Sequence, residues 1–332
     1  MNKRPRISPQ LIPLLATAGV LFALYLLGCL NYRNFATARV FVDLLGDNAF
    51  LGVAAIGATI VILSGGIDLS VGAVVAFIST FIASMVEHHH VAPLLAIVMA
   101  LFIGAGFGAL MGSLIQNFKL PPFLVTLAGM FFARSMAFVL EPQSLSLKDP
   151  FYTKTLSQDL SLPLGSTLSL PFVALCSLLL FAVAAWMLGR TRFGRAIYAI
   201  GGDEESARMM GLPVARTKIS IYMLSGLFSA IAGVLYSIYT TSGDPAGNVG
   251  FELQAIAAVV IGGTLLTGGV GSLGGTAMGV LILGLIQTLI TFQGNLNSWW
   301  TSIAVGALVL MFLLLQRVLS SFSSPRKKLS TA

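Results

Sequence analysis

Residues 92–116 read APLLAIVMALFIGAGFGALMGSLIQ, which is an apolar stretch without a charged side chain. As a helix it is long enough to cross a bilayer, since a span needs about 20 residues. Comparable stretches follow one another from Leu11 to Gln316, and 56% of the 332 residues are hydrophobic whereas only 9% are charged. A water-soluble core of this size cannot bury so much apolar surface. We therefore predict that lipid surrounds most of the protein.

The apolar stretches divide into about ten predicted spans. Backbone groups in hydrocarbon must pair within their own segment, and stretches of this length achieve that only as helices, because barrel strands are half as long and alternate polar with apolar residues. The prediction is an all-α polytopic membrane protein with about ten transmembrane helices. The predicted spans are residues 11–30, 44–64, 67–86, 92–116, 122–140, 169–188, 219–240, 253–270, 274–292 and 298–316.

Lysine and arginine residues are distributed unevenly between the predicted loops. With the N-terminus in the cytoplasm, fourteen of them fall on the inner face and four on the outer face, as the positive-inside rule requires. The net charge of +7 then reflects contact with anionic lipid, and no nucleic-acid partner is predicted. We expect cytoplasmic ends at 1–10 and 317–332, a transmembrane domain at 11–316, a periplasmic loop at 141–168 and a basic cytoplasmic loop at 189–218.

A glycine-bracketed motif with one acid lies between the second and third predicted spans, where residues 65–72 read GGIDLSVG. Asp68 or Ser70 can cap the helix that follows, and this structural explanation competes with a hinge or gate whose backbone breaks line a transport path. The sequence LLTGGV at 265–270 echoes ILSGGI at 62–67, which leaves an internal duplication open. The candidate gate or path residues are Gly65, Gly66, Asp68, Ser70, Gly72, Gly268 and Gly269.

The basic loop contains a short segment, residues 203–211, that reads DEESARMMG. Acids at its start and a glycine at its end predict a short helix. A helix that lies outside the membrane can dock into the groove of a partner, and a solvated loop helix without a partner is the alternative. The candidate coupling residues are Gly201, Gly202, Asp203, Glu204, Glu205, Ala207, Met210 and Gly211.

Several charged and aromatic residues fall at the predicted outer face, where they are candidates for contact with sugar or with a binding protein. For the two tryptophans among them, an aromatic belt at the membrane interface is the alternative explanation. Arg134 is the one base well inside a predicted span, and it either snorkels to the interface or takes part in the pore. The candidate contact residues are Arg33, Arg39, Asp244, Glu252, Trp299 and Trp300.

The sequence lacks the signatures of several enzyme and carrier classes. It has no phosphate-binding loop of the G-x-x-x-x-G-K-[ST] type, no run of intramembrane acids for a proton relay and no recognisable catalytic set. The adjacent residues His88, His89 and His90 lack the spacing of a closed metal site. We therefore predict that the chain is not an enzyme and that it binds no metal or cofactor. Energy for active transport must come from another subunit.

The glycine-rich motifs together resemble the permease subunits of bacterial ABC sugar importers of the ribose, arabinose, xylose and galactose type. The likeness follows the chain in order over nearly its whole length, through residues 62–72, 193–194, 199–202, 210–211, 257–264 and 268–271. Within that family, three further stretches are most similar to one of the paired permeases of the galactofuranose importer. These stretches are residues 47–52, 127–132 and 298–301.

The resemblance implies a multi-pass protein of the bacterial inner membrane that pairs with a second permease, identical or paralogous. It also implies a cytoplasmic ABC ATPase subunit that uses the ATP, and a periplasmic sugar-binding protein. Residues 199–211 match the family's coupling segment, although Asp203 stands where the family pattern leads us to expect asparagine. The implied function is import of a monosaccharide. An ion-coupled secondary transporter and a passive channel or scaffold are the alternatives.

Overall fold

The computed structural model describes residues 11–159, 162–163, 169–294 and 299–323. The predicted N-terminal segment 1–10 and residues 324–332 of the predicted tail lie outside the described residues. The helices in chain order are α1 (Leu11–Asn31), α2 (Ala38–Asp47), α3 (Ala49–Leu63), α4 (Val71–Glu87), α5 (Pro93–Asn117), α6 (Pro122–Leu140), α7 (Phe172–Arg190), α8 (Arg192–Gly202), α9 (Glu204–Met209), α10 (Val214–Thr240), α11 (Phe251–Ile261), α12 (Leu273–Gln293) and α13 (Trp299–Ser323).

Short strands and one π-helical segment lie in the connections between α6 and α7 and after α10. Four two-residue strands are β1 (Leu145–Ser146), β2 (Leu162–Pro163), β3 (Ser169–Leu170) and β4 (Ser242–Gly243), and a π-helical segment spans Phe151–Asp159. Strand β1 pairs antiparallel with β4, with Leu145 opposite Gly243, and β2 pairs antiparallel with β3. The β1–β4 pair ties the loop after α6 to the end of α10.

Six helices in the described residues are long and apolar enough to cross a membrane: α1, α5, α6, α7, α10 and α12. Helices α2 and α3 form a seventh span if they are counted as one, although they are bent by 53°. Asn48 lies at this bend, where its Nδ2 donates to the carbonyl of Leu44 at 2.9 Å. The all-α polytopic class is therefore confirmed.

Ten full-length spans are not shown, because α4 and α11 are shorter apolar helices and the apolar part of α13 covers only Trp299–Leu314. The predicted span 253–270 is the clearest departure. Helix α11 ends at Ile261, and Gly263 then adopts a positive φ of 86° that stops the helix. The last predicted span, 298–316, also differs from the structure, because α13 continues to Ser323.

Helix α10 lies at the centre of the bundle and packs against α3, α4 and α5. Small residues allow the closest of these approaches, as expected for helices in lipid. A Cβ added to Gly226 of α10 would lie 3.0 Å from Cα of Gly108 on α5. The buried core continues along α3, where Ile56, Ile60 and Leu63 are fully enclosed.

Two units of opposite direction determine where the site lies. In the first unit α3 runs to its end at Leu63, residues 64–70 return in a non-helical conformation, and α4 runs onward in the reverse direction. In the second unit α10 starts beside α9, residues 241–250 return, and α11 runs back until Ile261. The ends of α3 and α11 meet, since the N–H of Gly269 donates to the carbonyl of Leu63 at 2.9 Å. Each unit is thus a helix, a non-helical return and a second helix of the opposite direction.

Candidate translocation path and coupling segment

Five glycines from three separate parts of the chain meet where α3, α8 and α11 end. We call this the glycine junction, and its members are Gly65, Gly201, Gly202, Gly268 and Gly269. A Cβ on Gly201 would collide with the carbonyl of Leu63 and lie 2.6 Å from the nitrogen of Gly269. A Cβ on Gly268 would lie 2.7 Å from the nitrogen of Gly65 and 2.9 Å from the oxygen of Gly201. Three of these glycines, Gly65, Gly268 and Gly269, belong to the two echoing sequences, which therefore pack directly against each other.

The segment that follows Gly202 forms the predicted short helix. Asp203 is its N-cap, with its Oδ1 accepting from the N–H of Ser206 at 2.6 Å. Glu204 and Glu205 occupy the first turn, and Gly211 follows the end of the helix with a φ of 80°. The preceding helix α8 was not predicted. It begins at Arg192, and the N-cap residue Thr191 accepts through its Oγ1 from the N–H of Gly194 at 3.1 Å.

One face of α9 is anchored and the other is open. Ala207 is fully buried in a small apolar cluster with Ile200 and Val214. The side chains of Met209 and Met210 are 78% and 70% exposed. Flexible methionines on an exposed surface suit adaptable contacts with a partner. The end of α9 therefore exposes two methionines, while Ala207 packs the helix against α8 and α10.

The charges on α9 connect it to α10. Glu204 pairs with Arg208 at 2.9 Å and with the ammonium group of Lys218 on α10. Burial raises the pKa of Glu204, but Lys218 and Arg208 outweigh that effect and the pKa lies below its ordinary value. The backbone and side-chain hydrogen bonds from Ser206 lower the pKa of Asp203. Both carboxylates are thus held in the ionised form.

Asp68 is buried and fastens the return after α3 to α10. Its Oδ1 accepts from the N–H of Ser70 at 2.9 Å and from the Ser70 hydroxyl at 2.6 Å. Its Oδ2 accepts from the hydroxyl of Ser225 on α10 at 2.7 Å. Asp68 is only 3% exposed, so this carboxylate depends on its three donors and on the N-terminus of α4. Ser70 is the N-cap residue of α4, but its side chain makes no capping hydrogen bond, and Asp68 accepts from Ser70 and not from the first turn of α4. The predicted side-chain cap is therefore not formed, and the hinge interpretation stays a prediction.

The first turns of α4 and α11 meet inside the bundle. A Cβ on Gly72 would collide with Oε2 of Glu252 and lie 3.0 Å from the carbonyl of Asn248. Helix α11 has 11 residues, which correspond to about 16 Å, or roughly half of the hydrocarbon core. The meeting point is therefore about half a bilayer away from the glycine junction. Glu252 was expected at the outer face, as a contact for sugar or for the binding protein. Its Oε2 is instead buried at this meeting point.

Arg134 binds the return that leads into α11. Its NH1 donates to the carbonyls of Pro245, at 3.0 Å, and of Gly247, and its NH2 donates to the carbonyl of Asn248 at 3.2 Å. Backbone carbonyls away from water need such donors, and the return has no helix to provide them. Arg134 thus neither snorkels away nor stands free, because it holds the return in place.

The remaining outer-face candidates do not form one group with Glu252, although Asp244, like Glu252, lies close enough to Arg134 for its charge to act on the guanidinium. Arg33 and Arg39 are exposed, and Arg39 forms only a 3.9 Å pair with Asp43. Asp244 uses its Oδ1 to accept from the N–H of Ala246 at 3.0 Å. Trp299 and Trp300 are 75% and 50% exposed at the start of α13. The structure does not bring these residues together.

Ser225 and Gly201 are the functional positions that local patterns identify least well. Ser225 is 157 positions away from Asp68, and a serine in an apolar helix gives no signal of a distant carboxylate. Gly201 was selected through the resemblance, whereas its close contact with Leu63 follows only from the fold.

Comparison with known proteins gives the family. Residues 40–313 match the family described as "Branched-chain amino acid transport system / permease component". The chain is 47% identical over 309 residues to the inner membrane ABC transporter permease protein YjfF of Escherichia coli strain K12, covering 93% of each chain. It is 35% identical to the fructose import permease protein FruG of Bifidobacterium longum, covering 97% of this chain and 95% of that protein.

A third relative is named for the import of a different sugar, ribose. The ribose import permease protein RbsC of Bacillus subtilis is 37% identical over 299 residues, with 90% of each chain covered. No solved structure matches this chain. The family implies an ATPase and a binding protein as partners, and with the apolar helices it indicates a multi-pass protein of the inner membrane. The chain belongs to this permease family and is the membrane permease subunit of an ABC sugar importer.

Proposed function

We propose that this chain is one of two permeases that together form the path for a monosaccharide, with both termini in the cytoplasm. The loop at 189–218 is then cytoplasmic and the loop at 141–168 periplasmic. ATP is bound and hydrolysed by separate ATPase subunits, and this chain contributes no cofactor site. A periplasmic binding protein delivers the sugar at the end of the bundle that carries Arg33, Arg39 and Asp244. The second permease is an identical or a paralogous chain.

The glycine junction is the observation that carries the coupling mechanism. The coupling segment, residues 199–211, contains the last turn of α8, in which Gly201 lies against the ends of both broken units. A movement of α8 and α9 that an ATPase imposes must therefore displace Leu63 or Gly269 directly. We infer that Gly65, Gly66, Gly268 and Gly269 act as the inner hinge, while Asp68, Ser70 and Gly72 transmit the movement along the return to α4.

Helix α10 supplies a second connection. It begins at Val214, directly after the coupling segment, and Lys218 holds it to Glu204. Seven positions further on, Ser225 holds Asp68. A displacement of α9 therefore reaches the return after α3 by two rigid routes. Packed elements of this kind switch between discrete arrangements more readily than they deform continuously.

The substrate that we propose is a monosaccharide, with galactofuranose as the first candidate. The resemblance of residues 47–52, 127–132 and 298–301 to a permease of the galactofuranose importer supports this choice. The names of the relatives add fructose and ribose, which both form furanose rings in water. We therefore expect a furanose to be the transported ring form.

Uptake by reconstituted vesicles tests the proposal. Proteoliposomes with this permease, its partner permease, the ATPase and the binding protein should accumulate labelled sugar against its gradient only when ATP is present inside the cytoplasmic compartment. Vesicles with this chain alone should accumulate none. Uptake that persists without ATP and collapses with an ionophore would instead identify an ion-coupled carrier. Equilibration without accumulation would identify a channel.

A further inference from the structure

Two buried polar atoms beside the meeting point of α4 and α11 have no hydrogen-bond partner. They are Oε2 of Glu252 and Nδ2 of Asn248, and both are enclosed in the structure. One is a charged acceptor and the other is a donor. Buried polar groups in folded proteins are nearly always paired, so two orphans within five residues require an explanation. Neither the coupling mechanism nor the fold uses them.

The surroundings of Glu252 favour an anionic carboxylate that remains available. It lies in the first turn of α11 and against the first turn of α4 at Gly72, so the positive ends of two helix dipoles face it. The charge of Arg134 also acts on Glu252, although the guanidinium donates its hydrogen bonds to backbone carbonyls. The carboxylate is therefore stabilised by electrostatics while its Oε2 keeps a free lone pair.

Aromatic rings adjoin the same segment. Phe251 stacks on Phe50 with ring centroids 5.6 Å apart and an interplanar angle of 18°, and Tyr236 meets Phe50 edge-on at 5.2 Å. The Tyr236 side chain lies close to that of Asn248, although Nδ2 of Asn248 has no acceptor at hydrogen-bonding distance and angle. Apolar aromatic walls with a few placed polar groups are the general composition of a small-molecule site.

We propose that Glu252 and Asn248 form a hydroxyl-binding site for the passing monosaccharide, which opens when α4 and α11 separate at Gly72. A sugar hydroxyl is both donor and acceptor, so it donates to the carboxylate and accepts from the amide. Several hydroxyls on one ring satisfy both groups at once, and the aromatic rings cover the apolar face of the sugar. This site rests on the proposed function and specifies where in the path the sugar is held.

The two unpaired polar atoms, Oε2 of Glu252 and Nδ2 of Asn248, favour separation of α4 from α11. In the observed arrangement Gly72 covers Oε2, and both polar atoms are without partners. In the separated arrangement sugar or water pairs with them. A ligand shifts an equilibrium towards the state that it binds better, so sugar promotes the open path and leaves when the path closes. Glycine at position 72 permits this closure, because any larger side chain would prevent the contact.

The test is the number of sugar molecules imported per ATP hydrolysed by the complete complex in proteoliposomes, with labelled D-galactose and D-ribose as probes. Glu252→Gln removes the charge and keeps the shape. Asn248→Asp replaces the donor with an acceptor and retains a residue type that tolerates the left-handed φ of 59°. Each should reduce sugar per ATP about tenfold while ATPase stimulation by the binding protein is retained, as expected for loss of a hydrogen bond to a charged group. Asp43→Asn removes an exposed carboxylate and is the matched control.

Unchanged sugar per ATP in both variants would overturn the site, whereas absence of ATP-driven uptake by the wild type would overturn the proposed function instead. A second measurement applies if the variants fail to assemble. Glu252→Cys, in a chain whose Cys29 and Cys176 are replaced by alanine, should react with a small thiol reagent during ATP turnover. The probe sugar should slow that reaction. A thiol that stays unreactive in every state, or that reacts at the same rate with sugar present, would also overturn the site.

Discussion

The backbone N–H of Gly269 donates a hydrogen bond of 2.9 Å to the carbonyl oxygen of Leu63, although 206 positions separate the two residues (269 − 63). Leu63 is the last residue of α3, and Gly269 follows the end of α11. The bond therefore joins the two broken units where each leaves its helix. Gly201 of the coupling segment lies against both Leu63 and Gly269, so it contacts the chain at the end of α3 and after α11 at the same point.

Substitution of Gly201 should uncouple transport. In Gly201→Ala the added Cβ collides with the carbonyl of Leu63, and overpacking of this kind costs about 1–3 kcal/mol. We expect uptake by the reconstituted complex to fall about tenfold or more, since each 1.4 kcal/mol is a factor of ten. The ATPase should still copurify.

Gly189→Ala is the matched control for Gly201→Ala. Gly189 lies in α7 and outside the glycine junction, and an added Cβ there meets nothing within 4 Å. Uptake by Gly189→Ala should equal that of the wild type. Equal uptake by both variants would contradict the role of the glycine junction.

Loss of the Ser225 hydroxyl should destabilise the return after α3. Ser225→Ala removes the only donor that Oδ2 of Asp68 has from α10, and hydrogen bonds to charged groups contribute about 1.5–3 kcal/mol. The apparent unfolding temperature of the purified protein should fall by a few degrees, and uptake should fall with it. Ser229→Ala is the control. Ser229 is equally buried, but its hydroxyl donates only to the Ser225 carbonyl within α10. Equal unfolding temperatures for the two variants would refute this assignment.

The membrane class, the coupling helix and the glycine breaks can be predicted from sequence because each has a local signal. Apolar length predicts spans, and DEESARMMG at 203–211 contains both a cap and a terminator. The pairing of Asp68 with Ser225 and the packing of Gly201 on Leu63 have no local signal, since both depend on contacts between distant segments. Glu252 was misplaced for a related reason. Polarity near a predicted span end indicates an interface, whereas here the chain turns back into the bundle before α11 begins.

Arginine at position 134 should be irreplaceable by another base. Its guanidinium donates to three backbone carbonyls, whereas lysine is a point charge on a flexible stem that cannot occupy the same fork. Arg134→Lys should lower the free energy of unfolding by at least about 2 kcal/mol, because at least one carbonyl loses its donor. Thermal unfolding in detergent measures the effect. Arg39→Ala removes an exposed arginine and should leave the unfolding temperature unchanged. A fully stable Arg134→Lys variant would show that the return is held by other contacts.

The coupling helix should loosen at acid pH. The folded-state pKa of Asp203 lies below its ordinary value of 3.8, and that of Glu204 lies below 4.5. The stabilisation from both carboxylates is therefore fully present above about pH 5 and is lost as the pH falls through the lowered folded-state values. Proteolysis of the loop at 189–218 by an acid-active protease should accelerate below about pH 4. In Asp203→Asn the side-chain oxygen can still cap α9 but carries no charge, so the dependence of the proteolysis rate on pH should weaken. Glu205→Gln, at an exposed site, should behave like the wild type.

The exposed methionines of α9 should form the contact with the ATPase. Met210→Asp places a charge on a surface whose side chain is 70% exposed, so the permease itself should fold normally. A charge in the apolar centre of an interface must be desolvated without a partner, which costs several kcal/mol. We therefore expect the ATPase to be lost from affinity purifications while the unfolding temperature of the permease is unchanged. Met210→Leu keeps the apolar contact and should retain the ATPase. Full retention of the ATPase by Met210→Asp would contradict the assignment of these methionines to the docking surface.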